Sequence, residues 1–141
     1  MMVSTKGRYA LRVMIDLAKH STGGFISLKD MAERQEISRK YLESIMSVLS
    51  KHNLVESAMG KDGGYRLSRK PEEYKIGDIL RVTEGDLSPV ACMSKDEKKC
   101  EMTSLCNAFP FWQGLASKIN EYIDSFTLQD FLKTDEAKSC V

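Results

Sequence analysis

The chain has 141 residues, is 42% hydrophobic and 29% charged, and carries a formal net charge of +1. That length can bury a core without disulfides, and no apolar run approaches the roughly 18 residues of a membrane span. No basic-apolar-small leader opens the chain, so the expected setting is cytoplasmic, where structural disulfides are rare. The net charge hides an asymmetry. Residues 1–75 hold 14 Lys and Arg against 9 Asp and Glu, and residues 76–141 hold 7 against 11. A basic front half suits a polyanionic partner, although many solvated faces carry the same bias.

The elements follow in chain order. Ala10, Val13, Met14 and Leu17 recur at helical spacing, with Ser4 or Thr5 as the cap and Gly23-Gly24 as the stop. Ser27, with Asp30 three residues on, resembles a capping box and starts a short helix from about Leu28 to Arg34. After a turn at "QEI", Ser38 caps a longer helix from about Arg39 to His52, whose buried stripe is Leu42, Ile45, Met46 and Leu49. "LVESA" and "GYRLS" read as a hairpin joined by four or five turn residues. A helix from about Ile76 to Thr83 ends near Gly85. Residues 86–108 have no periodicity. Helical spacing returns at Phe109 with Pro110 in the first turn, and Trp112, Leu115, Ile119, Tyr122 and Phe126 form a stripe. "TLQDFLKT" adds a short helical turn, and the tail from Asp135 is expected to be mobile.

A short helix, a tight turn and a longer capped helix make a helix-turn-helix, and the hairpin after it makes a winged helix. The expected fold class is mainly α with a small β-hairpin wing. A winged-helix domain over 1–85 is followed by a cysteine-bearing sensor loop over 86–108, a dimerisation helix with a short terminal helix over 109–134, and the tail 135–141. The first turn of the longer helix shows Ser38, Arg39 and Lys40, which suits insertion into a major groove with the helix dipole attracting phosphate. Arginine can pair with guanine, and Glu43 can accept from the amino group of cytosine; the plainer alternative for Glu43 is a solvated carboxylate. In the wing, Gly63 and Gly64 permit positive φ and a close backbone approach to phosphate, with Lys61 and Arg66 beside them; the plainer alternative is an ordinary hairpin turn. The aromatic stripe after Phe109 resembles a coiled-coil seam, with intramolecular packing as its alternative.

Cys92, Cys100 and Cys106 share one loop with spacing C-x7-C-x5-C, which lacks the C-x2-C of common zinc modules. Three thiolates in such a loop point to an iron–sulfur cluster, or else to three incidental thiols. Cys140 lies apart in the tail, and His20 and His52 read as helix-end residues.

The stretches "STKGRYALRVMIDLA", "MAERQEISRKYLESIMSVLSKHNLVES", "GGYRLSR", "IGDILRVTEG" and "FWQGLASKINEYIDSFTLQDF" resemble the bacterial Rrf-two family of winged-helix transcription regulators, nearest its iron–sulfur-assembly, IscR-like branch. The resemblance implies a homodimeric DNA-binding repressor or activator with double-stranded DNA as partner. Tyr41, Leu42 and Glu43 match the IscR-like "YLE", and the resemblance implies that residues 59–65 form the wing and that Cys92, Cys100 and Cys106 would hold a 2Fe-2S cluster. The chain also departs from the pattern. The histidine expected three residues after the last cysteine is Phe109, and the aspartate used in nitric-oxide sensors is Arg8, so the fourth ligand is unassigned. Asp96, Glu97 and Glu101 are oxygen donors in the loop. The wing arginine of IscR-like members is Met59. Two rival readings stand beside this one. One is a cluster-free, CymR-type thiol-redox or cysteine-metabolism repressor, with Lys95, Lys98 and Lys99 beside the thiols. The other is a zinc-stabilised protein-interaction module. No catalytic constellation points to an enzyme.

Overall fold

A serine supplies the cap wherever one of the first three helices starts. Ser4, Ser27 and Ser38 Oγ accept the amides of Gly7, Asp30 and Tyr41 at 3.1–3.2 Å. These caps open α1 (Thr5–Lys19), α2 (Leu28–Gln35) and α3 (Arg39–Lys51) in the computed structural model, which describes residues 3–94 and 100–132. Only the forward half of the expected capping box forms at Ser27. His20 and His52 cap the C-termini of α1 and α3, each with its ring Nδ1 on the carbonyl four residues back. α1 thus stops at Lys19, short of Gly23-Gly24.

Between α2 and α3 the chain reverses over Glu36–Ser38. Glu36 takes a left-handed backbone, φ 54°, and Ile37 drops into the core. A left-handed non-glycine residue costs about 1–2 kcal/mol, and burying Ile37 offsets it. Ala10, Val13, Met14 and Leu17 of α1 pack with Met31 of α2 and with Leu42, Ile45, Met46 and Leu49 of α3, all buried as the spacing requires.

The wing is β1 (Val55–Ala58) paired antiparallel with β2 (Gly64–Leu67), in register from Val55–Leu67 to Ala58–Gly64. Tyr65 exchanges two 2.8 Å backbone hydrogen bonds with Ile26, which pins the wing to the segment before α2. Here the glycine pair finds its first reason. Gly64 has φ +150°, and a Cβ there would collide with the Ile26 carbonyl; a Cβ on Gly63 would collide with that of Ala58. The close approach these two glycines permit is to the protein's own backbone, which leaves residues 59–62 as the outward part of the wing.

Tyr74, 1% exposed, ties the wing's base. Its hydroxyl donates to the Leu54 carbonyl at 2.6 Å and accepts the amides of Ser68 and Arg69. α4 (Ile76–Glu84) packs on α1 and ends at Gly85, φ 76°. α5 (Phe109–Asp124) starts with Pro110 in its first turn and contains no buried residue. The single stripe expected along it divides. Trp112 and Ile119 are half-buried, whereas Leu115 (37%) and Tyr122 (66%) are exposed, and Phe126 lies beyond the helix. Phe111, outside the expected stripe, is 65% exposed. The chain then returns to the winged body through a 3-10 segment, Leu128–Leu132. Leu128 is buried there and its amide donates to the Tyr74 carbonyl. No helix among the described residues is long and apolar enough to cross a membrane.

Candidate nucleic-acid interface

The inward stripe of α3 fixes what faces out. Ser38, Arg39, Lys40, Glu43 and Ser47 are exposed, and the side chains of Arg39, Lys40, Glu43 and Ser47 have no hydrogen-bond or ion-pair partner among the described residues. Ser38 spends its hydroxyl on the cap. Tyr41 is half-buried, edge-on to Tyr9 of α1 at 5.9 Å, so it positions α3 as much as it faces solvent. The N-terminal end of α3 therefore combines unsatisfied helix amides, two free cations and one free carboxylate, a set able to meet phosphates and base edges.

α2 is clamped to α1 by a cluster that the sequence does not announce. Asp16 is 3% exposed; its carboxylate accepts from Arg34 Nε at 2.9 Å, from a terminal Arg34 nitrogen at 2.8 Å and from Gln35 Nε2 at 3.1 Å. Arg12 bonds both the side chain and the carbonyl of Gln35. The Asp16 hydrogen bond holds the Arg34 guanidinium above its ordinary pKa against the opposing pull of burial. The only sequence signal is a carboxylate set among the apolar positions Val13, Met14 and Leu17.

In the wing, Lys61 is exposed and unpaired, as the sequence reading requires of a phosphate contact. Arg66 is not free. Its Nε donates to Glu56 at 2.8 Å, a terminal nitrogen donates to the Gly23 carbonyl at 3.2 Å, and the guanidinium lies 4.4 Å from the Phe25 ring centre. Arg66 braces the hairpin against the preceding loop, and a phosphate must compete with Glu56 for it. Glu56 escapes a linear reading because the pairing appears only once the strand register sets Glu56 opposite Arg66.

A second clasp joins α4 to α5. Arg81 makes two 2.9 Å bonds to the carboxylate of Asp124, with Asn120 and Asp78 completing its surroundings. The Arg81 hydrogen bond pulls the Asp124 carboxyl below its ordinary value and raises Arg81 in turn.

The cysteines remain apart from all of this. Cys92 is half-buried on a 3-10 turn, Ala91–Met93, which Ser88 Oγ ties down by donating to the Met93 carbonyl. Cys100 and Cys106 are exposed. Among the described residues no three His, Cys, Asp or Glu side chains gather as a metal site. The donor chemistry of three thiols suits a cluster, but their arrangement here does not assemble one. Lys95, Asp96, Glu97, Lys98, Lys99 and Cys140, together with the tail from residue 135, lie outside the described residues. Glu101 is exposed, Arg8 bonds Thr5, and Phe109 opens α5.

A helix-turn-helix on a packed core, an outward polar face at a capped helix start and an antiparallel ribbon beside it define a winged-helix DNA-binding protein. Residues 3–134 match the Rrf2 model, described as an iron-dependent transcriptional regulator. The chain belongs to the Rrf2 family, whose members are named as regulators of transcription and not as enzymes. It is 35% identical over 138 residues to the HTH-type transcriptional regulator IscR of Aliivibrio salmonicida, covering 98% of this chain and 81% of that one. It is similar in structure to CymR, the global cysteine regulator of B. subtilis, with a TM-score of 0.78 and 39% identity over 96% and 99% of the two chains. It is likewise similar to the IscR of T. potens, with a TM-score of 0.74 and 39% identity over 100% and 94%.

Proposed function

We propose that the protein is a homodimeric transcriptional regulator that reads double-stranded DNA with α3 and answers to iron–sulfur or redox status through its cysteines. The observation that carries the reading is the unpartnered set Arg39, Lys40 and Glu43 at the Ser38-capped start of α3. In this reading Arg39 and Lys40 meet guanine or phosphate, Glu43 accepts from cytosine, Ser38, Tyr41 and the wing residue Lys61 fix the register, and Gly63, Gly64 and Arg66 hold the wing in the shape that presents it. The exposed apolar side chains of α5, Phe111, Leu115 and Tyr122, support pairing of two copies along that helix.

Cys92, Cys100 and Cys106 are the thiolates that would hold a 2Fe-2S cluster, which would supply a redox-sensitive charge beside α5. The chain's own contribution is mechanical. Ser88 holds the Cys92 turn and bonds Asp86, just past the end of α4. Movement at Cys92 therefore reaches α4 and its clasp to α5, which sets how two reading heads are spaced.

DNA affinity against salt tests the first part. If roughly four to eight phosphates are neutralised per dimer, the log–log slope is about −4 to −7, and a flat response rejects the reading. Iron and sulfide content of anaerobically prepared protein tests the second. Stoichiometric iron and sulfide, lost in Cys92→Ala, is the expected result. Protein without either, whose DNA affinity shifts on thiol oxidation, favours the CymR-type reading, to which the likeness to CymR lends support. Bound zinc without DNA retention favours the interaction module.

A further inference from the structure

The joint between α4 and α5 holds a cavity of about 380 Å³, within the size range of small-molecule sites. Its apolar wall is Leu87, which is buried, with Met93 of the Cys92 turn and Ala116 of α5, which are half-buried. Its polar lining falls into two hydrogen-bonded pairs. In the first, Arg81 donates to Asn120 Oδ1 at 2.9 Å. Asp124 engages the terminal nitrogens of the guanidinium, and Arg81 Nε meets no acceptor among the described residues. Asn120 Nδ2 carries a second hydrogen beyond the one it gives the Ala116 carbonyl. This pair is therefore a donor to an anion. In the second pair, Ser88 donates to Asp86 Oδ1 from its hydroxyl at 2.6 Å and from its amide at 2.9 Å. The Asp86 carboxylate and the lone pairs of Ser88 Oγ make this pair an acceptor for a cation.

We propose that this cavity binds a free α-amino acid with an apolar side chain of about leucine's size, and that the amino acid acts as an effector. Its carboxylate meets Arg81 Nε and Asn120 Nδ2, its ammonium meets Asp86 and Ser88 Oγ, and its side chain packs on Leu87, Met93 and Ala116. A zwitterion satisfies both pairs and adds no net charge, so it leaves the balance of Arg81 against Asp124 in place. The bound molecule bridges α4 and α5 to the loop that carries the Cys92 turn. In the DNA-binding reading above, on which the effector role rests, that joint sets the spacing of the two reading heads, and occupancy changes DNA affinity through it.

The test uses the full chain and reads its thermal midpoint without DNA. The probes are leucine, isoleucine and methionine, with N-acetylleucine, leucinamide and isoamylamine as analogues that lack one charge of the zwitterion. At least one of the three amino acids raises the midpoint by about 4 °C at ten times its Kd, and the analogues leave it unchanged. Asn120→Asp sets a carboxylate against that of the ligand while still accepting from Arg81, and Ala116→Leu fills the cavity; each abolishes the response. No shift with any of the three up to about 10 mM overturns the site, as does an equal shift with N-acetylleucine or isoamylamine, or an undiminished response in both variants. The effector role is read on duplexes that the wild type selects from a randomised pool. The saturating amino acid changes their affinity by at least about threefold in wild type and not in Asn120→Asp; a change below twofold overturns that role. A wild type that retains no duplex, with or without the amino acid, overturns the DNA-binding reading and the effector role together, and the midpoint shift then decides the site by itself.

Discussion

Truncating Asp16 should loosen the helix-turn-helix more than any other single surface-to-core change. The carboxylate is almost fully buried and accepts two bonds from Arg34 and one from Gln35, tying α2 to α1 across 18 residues of sequence. In Asp16→Ala those bonds vanish and the Arg34 guanidinium loses its anion. Breaking a wholly buried pair from one side costs about 3–5 kcal/mol. The Arg34 side chain keeps 32% of its surface exposed and can partly rehydrate, so the expected cost falls to about 2–3 kcal/mol. Urea unfolding reads this as a midpoint lower by roughly 1–2 M with an unchanged slope. The double variant Asp16→Ala/Arg34→Ala should cost less than the two singles together, by about 1.5–3 kcal/mol, since removing one partner already strands the other. Singles that add within about 0.5 kcal/mol, or an Asp16→Ala loss below that figure, would refute the clamp.

Four further outcomes follow from the same structure. The Asp124 carboxyl lies below its unfolded value because of Arg81, so the pair's stabilisation is present above about pH 4 and is lost as pH falls through the depressed folded value. Thermal midpoints of Asp124→Asn against pH should accordingly start lower at neutral pH and fall less steeply than wild type below pH 4. Leu115→Asp with Tyr122→Asp should yield a folded monomer by sedimentation, with DNA affinity down by more than about tenfold, because neither side chain is buried within one chain. Gly64→Ala should cost about 1–3 kcal/mol and free the wing to protease, whereas Gly60→Ala, strained but in open space, should cost nearer 1 kcal/mol. Ser38→Ala removes the α3 cap and should cost about 1 kcal/mol in denaturant unfolding.

What the sequence reveals divides along a physical line. The caps at Ser27 and Ser38, the stripe Leu42, Ile45, Met46 and Leu49, and the short hairpin are legible because each is decided within a few residues. The Arg81–Asp124 clasp spans 43 residues, and nothing near either residue marks it. Arg66 shows the cost of reading a site by composition. A basic residue near a glycine tip suggests a phosphate contact, yet strand register gives it Glu56 and loop geometry gives it Phe25 and the Gly23 carbonyl. Gly63 and Gly64 show the same from the other side: the close approach is right, and the approaching backbone is Ile26 and Ala58.

The division of stability along the chain bears on how such a regulator could switch. The winged body closes on its own core, from Ala10 through Leu80, with Leu128 sealing one side. α5 does not. It has 16 residues with none buried, and one arginine clasp and a few half-buried side chains such as Ile123 hold it to the body. Helices of about that length are marginal in water without packing. In the proposed dimer, a partner surface on Leu115 and Tyr122 would contribute much of what keeps α5 helical, so pairing and helix order would rise and fall together. The clasp residue Arg81 sits in α4, whose far end leads through Asp86 and Ser88 to the Cys92 turn. In the proposed regulator, a change at Cys92 would thus act on the least self-sufficient joint among the described elements, where a small free-energy difference could redirect two rigid reading heads without disturbing either core.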